Sequence, residues 1–394
     1  MTASVWDLVV GHAEQVAILR EAVDSGRVVH AWLFTGPPGI GKLHTARVFA
    51  AALNCPAGGD GTCDVCRRIL RGVHPDVHLI VPEGDFLLVE DVRAVREEAS
   101  RSRHEASTAV FVFDEADRMT EAAANALLKV LEEPPPRVVF VLVARSADAL
   151  VGTVPSRART LPFIGLSLDE LTAALADELD LRPEQVAWAA AAGRGRLARA
   201  RALLTDEAAR TRRSSVLDLV GRLGSGQPSD ALAAAGTVVA LADEVVAAAR
   251  IRQERELAEL GAAFGSGRGS GALRKRLEVR HRRELRRARF DAIRELVTDL
   301  LAAYRDLALL AAPAAPPAPT AAPLVHPDKA ATFERLAAGV DPAAAVRAAG
   351  ALEEADRRLT IGAAPQLTLE AAFLSVQAAL RGPAVPIRRL AIRR

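Results

Sequence analysis

Three groups of residues in this sequence have types and spacings that could do chemistry. Gly36-Pro37-Pro38-Gly39-Ile40-Gly41-Lys42-Leu43 fits the pattern G-x-x-x-x-G-K-[ST] at Gly36, Gly41 and Lys42. Backbone N–H groups of such a loop, Gly39 among them, can wrap a polyphosphate while the lysine neutralises its β and γ oxygens. The last position fails, because Leu43 stands where a Ser or Thr hydroxyl would meet Mg²⁺. The loop therefore reads as able to hold ATP or ADP without a metal ligand of its own, in a fold whose hydrolysis is lost or weakened. The second group is Asp114-Glu115, which closes an apolar run. There an aspartate would hold Mg²⁺ through water and a glutamate would activate the attacking water. A nucleotide kinase would carry the same two motifs. The third group is Cys55, Cys63 and Cys66, the only cysteines of the chain. Their clustering points to a metal rather than to a disulfide framework.

The elements that must position these groups alternate in type. A short amphipathic helix is expected within residues 5–25. A strand over 28–35 then feeds the phosphate loop, and a helix runs from Lys42 to Asn54. Val77–Val81 reads as a strand and Val89–Ser100 as a helix with Val92, Val95 and Ala99 on one face. Ala109–Phe113 and Val138–Val143 are continuous apolar runs, the pattern of strands buried on both faces of a parallel sheet. Between them a helical run, Glu121 to Glu133, stops at Pro134-Pro135-Pro136. Thr153–Phe163 closes this first domain. Two helical patterns then surround Gly193-Arg194-Gly195-Arg196, and after Gly221 the chain is almost entirely Ala-, Leu- and Arg-rich helix. Residues 311–323 are a Pro/Ala-rich linker.

At 394 residues, half of them hydrophobic and a quarter charged, the chain has the composition of a globular protein of two or three domains. Its net charge of +2 does not itself demand nucleic acid. Residues 274–287 are nevertheless densely basic, with apolar residues at helical spacing. They could line a DNA-facing surface through phosphate contacts, but a charged helix with one buried stripe explains them as well and is the favoured reading. Met1–Asp7 has neither a basic nor an apolar signal region, and no uncharged apolar run reads as both long and proline-free enough to span a bilayer. A cytoplasmic protein without a membrane partner is expected.

The run from Asp114 to Pro135, DEADRMTEAAANALLKVLEEPP, resembles the bacterial clamp-loader AAA+ family, in which such a string follows the acid pair. Val10-Gly11-His12, His30-Ala31-Trp32-Leu33-Phe34-Thr35-Gly36 and Val154-Pro155-Ser156-Arg157-Ala158 agree with it. The likeness is strong over residues 1–165, weaker to about 205, and beyond that only a matter of length and helical composition. It implies an α/β AAA+ domain with a parallel sheet over 1–165, a small helical lid over 166–213, and an all-α C-terminal collar over 214–394 that serves oligomerisation. It also implies a place in a five-membered ring with delta and gamma/tau subunits, which loads a sliding clamp on primed DNA as part of the DNA polymerase III holoenzyme.

Carried onto this chain, the resemblance makes Ser156-Arg157-Ala158 the family's Ser-Arg-Cys motif. Arg157 becomes an arginine finger reaching into a neighbour's ATP site, with Ala158 departing from the pattern. Asp114 and Glu115 become a vestigial pair. An arginine of the lid, Arg196 or else Arg194, would touch a nucleotide phosphate; a glycine-broken helix start with solvated arginines is the alternative. No Thr or Asn follows Val143, where the family carries a sensor residue, a second sign of weakened hydrolysis. The family's four-cysteine zinc module falls on Cys55, Asp60, Cys63 and Cys66, with Asp60 in place of one cysteine. A Cys₃Asp site suits a structural Zn²⁺. Water, Asp64 or His74 remain alternatives for the fourth ligand, and a decayed loop with three free thiols remains the alternative to a site. Two other functions stay open: an autonomous AAA+ ATPase motor like the gamma/tau subunits, and a zinc-bearing adaptor whose phosphate loop is a relic.

Overall fold

A computed structural model describes residues 4–82, 86–101, 105–264, 268–312 and 323–381, and of residues 259–264, 268–277, 279, 280 and 283 the backbone alone. Residues 313–322 of the Pro/Ala-rich linker, and seven side chains of the basic run 274–287, lie outside that description. The chain divides into two compact units, Met1–Arg201 and Ala202–Arg394.

The first unit is a five-stranded parallel sheet with helices on its faces. In chain order it runs α1 (Ala13–Asp24), β1 (Ala31–Thr35), α2 (Lys42–Asn54), α3 (Asp64–Leu70), β2 (Val77–Ile80), α4 (Val89–Ala99), β3 (Ala109–Phe113), α5 (Glu121–Glu132), β4 (Val138–Val143) and β5 (Arg159–Pro162). The strands stand in the order β2-β3-β4-β1-β5. The apolar runs became β1, β3 and β4, every residue of which is buried, as central strands covered on both faces require. Their side chains alternate between two cores. Trp32, Phe34, Val110, Val112, Val139 and Val141 face α2 on one side. Leu33, Phe111, Phe113, Phe140 and Leu142 meet Val92, Val95, Leu127 and Leu131 of α4 and α5 on the other.

The helix expected within 5–25 is two pieces. Val5–Leu8 is a single tight turn capped by Ser4, and α1 starts only at Ala13. Gly11 and His12 take positive φ, +67° and +54°, which breaks the helix between them. A Cβ on Gly11 would come within 2.1 Å of Leu166 Cδ2 and would sit at a φ of +67°, so that position favours glycine. The lid region has three helices: α6 (Leu168–Leu179), α7 (Pro183–Gly193) and α8 (Leu197–Thr205).

The second unit is helical throughout its described residues: α9 (Glu207–Leu217), α10 (Leu219–Ser225), α11 (Pro228–Phe264), α12 (Arg268–Ala311), α13 (Ala330–Ala337), α14 (Pro342–Thr360) and α15 (Pro365–Leu380). Their shared core is built around Leu223, Val238, Leu300, Tyr304, Phe333 and Phe373. Within α11, residues Pro228–Ala258 are long and apolar enough by length and composition to cross a membrane. The sequence reading passed over this stretch because Asp230, Asp243 and Glu244 interrupt it. In the fold its Ala231, Ala234, Ala235, Val238 and Ala242 belong to the helical core.

Candidate functional site

The phosphate loop, the acid pair and Arg145 gather at the C-terminal edge of neighbouring strands β1, β3 and β4, the edge where open α/β sheets bind ligands. The register fixes them there. Phe34 pairs with Val143, and Phe113 with Leu142, so Gly36, Asp114 and Arg145 leave the sheet side by side. The N–H of Gly36 donates to the carbonyl of Arg145 at 3.0 Å.

Gly36, Gly39 and Gly41 all take positive φ, +136°, +78° and +105°. At Gly36 a Cβ would lie 2.1 Å from the Phe163 carbonyl oxygen, so the glycine is demanded by the fold as well as by the turn. The loop is closed on its own lysine. Lys42 Nζ donates to the carbonyls of Gly36 and of Pro37, the latter at 2.5 Å. Burial of the ammonium lowers its pKa from 10.5 to about 8, opposed by the nearby charges of Asp114 and Asp117. Leu43, in the first turn of α2, packs partly buried against the core, and the first hydroxyl of the helix, Thr45 Oγ1, is committed to the carbonyl of Gly41 at 3.1 Å. From the other side, His12 Nε2 donates to the carbonyl of Ile40 at 2.8 Å and tethers the loop to the start of α1.

Asp114 is buried, and its Oδ1 accepts the N–H of Glu115 at 3.1 Å. Glu115 has positive φ, +53°, and its carboxylate lies 3.3 Å from Arg118. The position that lacks the sensor Thr or Asn carries an ion pair instead. Arg145 Nε donates to Asp117 Oδ2 at 2.5 Å, with the Asp117 side chain almost wholly buried. Sequence reading missed this pair, and quoted His12 only as part of a motif without its tie to Ile40, because the partners lie 28 residues away in each case.

The turn between α7 and α8 lies against the phosphate loop. Arg194 and Gly195 have positive φ, +51° and +79°, and a Cβ on Gly195 would lie 2.7 Å from the Cα of Gly165. This tight turn between α7 and α8 lays Arg196 over the loop, its Cδ 3.1 Å from where a Cβ on Gly39 would stand. Of the two arginines considered, Arg196 is the one the structure brings against the loop glycines.

Arg157 is elsewhere. It lies just before β5, whose Arg159 pairs with Trp32 and whose Pro162 pairs with Thr35. Arg157 thus stands at the N-terminal edge of the sheet, a strand length of about 15 Å from the phosphate-loop edge. Its Nη2 donates to Glu132 Oε1 at 2.5 Å, and its Nη1 reaches the Thr153 carbonyl at 3.3 Å.

The cysteines form a real cluster. One ligand atom from each of Cys55, Asp60, Cys63 and Cys66 lies within 4.8 Å of the others. Cys55 Sγ is 3.7 Å from Cys63 Sγ and 3.6 Å from Asp60 Oδ1. Tetrahedral zinc with its usual bond lengths sets ligand atoms about 3.5–3.8 Å apart, so the donor set fits. Backbone N–H groups of Cys63 and Thr62, each 3.0 Å from Asp60 Oδ1, hold the Asp60 carboxyl down to about 2. Burial pushes the Cys55 thiol up, but the N–H groups of Asp60, Gly59 and Ala57 outweigh it and leave the thiol below its ordinary value. Burial pushes Cys66 up. The alternative fourth ligands are engaged otherwise: Asp64 pairs with Arg68 at 2.7 Å, and His74 faces Glu105 at 3.6 Å. The cluster could hold a metal ion.

Residues 11–167 match the family model described as "DNA polymerase III, delta subunit". The chain is 39% identical over 149 residues to the DNA polymerase III subunit delta' of Bacillus subtilis, covering 37% of this chain and 45% of that protein. It is 36% identical over 143 residues to the delta' of Haemophilus influenzae (35% and 44%). It is also 31% identical over 229 residues to the gamma/tau subunit of Mycobacterium tuberculosis (57% and 35%). The chain thus spans less than half the length of these relatives. Among solved structures it is similar to a RuvB variant of Thermotoga maritima, with a TM-score of 0.39, 19% identity, and coverage of 56% of this chain and 67% of that one. A DNA polymerase III gamma subunit-related protein of the same organism gives a TM-score of 0.32 at 18% identity, covering 72% and 98%.

Proposed function

We propose that this chain, whose residues 11–167 match the family model described as "DNA polymerase III, delta subunit", works as the delta-prime subunit of the DNA polymerase III clamp loader. In that role it is a largely structural member of a five-subunit ring with delta and gamma/tau, and the ring opens a sliding clamp and sets it on primed DNA in the cytoplasm. One observation carries the reading: Arg157 stands at the sheet edge opposite the chain's own phosphate loop. A guanidinium so placed serves a neighbour. There it would neutralise charge spreading over the γ-phosphate oxygens, an effect worth on the order of 10³ or more in rate.

The chain's own loop supports the structural half of the proposal. Leu43 offers no hydroxyl to a metal beside Lys42, whose Nζ is held by the carbonyls of Gly36 and Pro37. Gly36, Gly39, Gly41, Lys42 and Arg196 would hold ATP or ADP weakly, with Asp114 and Glu115 left as a vestigial pair. The domains follow the same reading: an AAA+ core over 1–165, a lid over 166–213 and a collar over 214–394. Cys55, Asp60, Cys63 and Cys66 would hold a Zn²⁺ whose role is to cross-link the loop after α2; the metal supplies structure and no reaction step.

The second reading, an autonomous motor, is favoured by the charges of Asp114 and Asp117 beside Lys42. Mixing the purified chain with delta and gamma/tau subunits and sizing the product tests the proposal. A stable complex containing one copy of this chain supports it. Failure to assemble, together with ATP turnover by the lone chain that Lys42→Ala abolishes, favours the motor.

A further inference from the structure

The groove between α4 and α5 of the first unit is left unused by the proposed function. β2, β3 and β4 pair in parallel, so the two helices that connect them run back in one direction, side by side. The segments that lead into these helices are stitched together. The N–H of Leu87 donates to the carbonyl of Arg118 at 2.9 Å, and the N–H of Thr120 to the carbonyl of Leu87 at 3.0 Å. The hollow between the helices encloses about 380 Å³, within the range of about 300–1,000 Å³ usual for ligand pockets. α4 lines it with Val89, Val92, Arg93 and Arg96. α5 lines it with Ala122, Asn125, Ala126 and Lys129. Both sets follow the spacing i, i+3, i+4, i+7, which is one face of a helix.

The two faces are ordered alike. Apolar side chains come first, with Val92 almost wholly buried, and the cations come last, Arg96 and Lys129 each in the closing turn of its helix. The groove is therefore apolar at one end and cationic at the other. Among the described residues no acid lines it. Arg93, Arg96 and Lys129 are exposed, and among the described residues no ion pair or hydrogen bond engages their side chains. Glu97 stands four residues on from Arg93, the spacing at which opposite charges pair on a helix, and still forms no pair with it. It lines a second hollow instead, where Arg93, Arg96 and Arg101 outnumber it.

We propose that this groove docks a short acidic segment of a partner protein, with one apolar side chain seated on Val89, Val92 and Ala126 and its carboxylates held by Arg93, Arg96 and Lys129. Arginine binds carboxylate through short, charge-assisted and often bidentate hydrogen bonds, and clusters of arginine are a recurring means of capturing acidic segments. Asn125, in the same hollow, offers a carboxamide to the segment's backbone. A nucleic-acid backbone would use the cations but leave the apolar end without a partner, whereas an apolar anchor flanked by carboxylates uses both. The cations stand one to two helical turns beyond Val89, about 6–10 Å along the axis. The carboxylates therefore belong about two or three extended residues from the anchor. The inference uses only the surface of the first unit and does not rest on the clamp-loader reading.

The test uses the full-length purified chain and a short fluorescein-labelled peptide that carries a leucine pair followed by a run of aspartates, with binding read by anisotropy. The wild-type chain is expected to bind it saturably, and to bind the same peptide with serines for the leucines about tenfold more weakly. Arg96→Glu/Lys129→Glu is expected to weaken binding by about tenfold or more. Ala122→Glu, which sets a carboxylate at the apolar end, should weaken it by a similar factor. Arg96→Gln/Lys129→Gln should give a smaller loss, and it carries the test if charge reversal lowers the melting temperature. Arg20→Glu/Arg27→Glu, exposed on the α1 side of the sheet, should bind as wild type does. Far-ultraviolet circular dichroism checks that each variant keeps its helix content. The proposal is overturned if the wild-type chain does not bind the leucine peptide, if the groove variants bind it like wild type, or if the serine peptide binds as tightly. It is overturned also if a DNA strand of equal charge displaces the peptide at lower concentration, which would make the groove a nucleic-acid site. Because no other subunit is present, a failure here leaves the ring assignment standing, and a failure to assemble leaves this one standing.

Discussion

Arg157 donates from Nη2 to Oε1 of Glu132 at 2.5 Å, tying the turn before β5 to the C-terminal end of α5. Glu132 belongs to the Leu-Glu-Glu-Pro-Pro stretch that ends that helix, so two motifs far apart in sequence meet in one ion pair. Both side chains are substantially exposed. On the proposed reading, this exposed bond would hold the guanidinium where a neighbour could take it up at small cost.

Exposed pairs of this kind are worth under about 1 kcal/mol. Glu132→Ala is expected to leave the thermal stability of the chain nearly unchanged and to preserve ATP turnover by a reconstituted ring. Melting curves and ring turnover check this together. A collapse of turnover in Glu132→Ala would mean that the glutamate itself takes part.

Lys42 makes a pH prediction. Its ammonium has a pKa of about 8 in the closed loop, and a phosphate prefers the charged form. Above that pH the charged fraction falls about tenfold per unit, so nucleotide affinity should weaken by about tenfold between pH 7 and pH 9. Calorimetric titration with ATP at both pH values measures it. Lys42→Arg, which stays charged, should flatten the dependence.

The sheet was legible because each central strand is a short, wholly apolar run, and β1, β3 and β4 came out within a few residues of where those runs lie. The gathering of Gly36, Lys42 and Asp114 followed from the same alternation. Two kinds of feature were not legible. Backbone breaks such as Gly11–His12 rest on two consecutive positive φ angles, one of them at a histidine, that no local apolar pattern announces. Charge pairs such as Arg145–Asp117 and Arg157–Glu132 join residues of common types whose partners only the folded sheet selects. In the second unit, Ala-rich helices announced their type but not their ends.

The cysteine cluster predicts metal content. The purified chain should carry about one zinc per molecule, and Co²⁺ substitution should give the absorption of a tetrahedral thiolate site. Cys63→Ser should abolish retention, and Asp60→Asn should weaken it. Protein without metal, whose melting a chelator leaves unchanged, would mark the loop as decayed.

In the second unit His326 is buried between Arg213 and the backbone of Asp299. Arg213 Nη2 lies 2.9 Å from Nδ1, which must accept, so the Nε2–H donates to the Asp299 carbonyl at 3.2 Å. Burial, reinforced by the Arg213 charge, lowers the pKa from 6.5 to about 4. A base whose folded value is depressed contributes fully above the unfolded value, and that stability is lost as pH falls from about 6.5 to about 4, on the order of 3 kcal/mol. The Arg213–Asp328 pair, whose carboxyl is also held low despite its burial, gives way only at still lower pH. Denaturant unfolding of the second unit, followed across pH 7 to 4, should show the loss, and His326→Gln should remove most of it in that window.

The central claim is that this chain lends an arginine and spends little ATP of its own. Clamp- and DNA-stimulated ATP turnover by a ring reconstituted with Arg157→Ala tests it most directly. The account predicts an intact ring whose turnover falls at least tenfold; an intact ring turning over at the wild-type rate would contradict it.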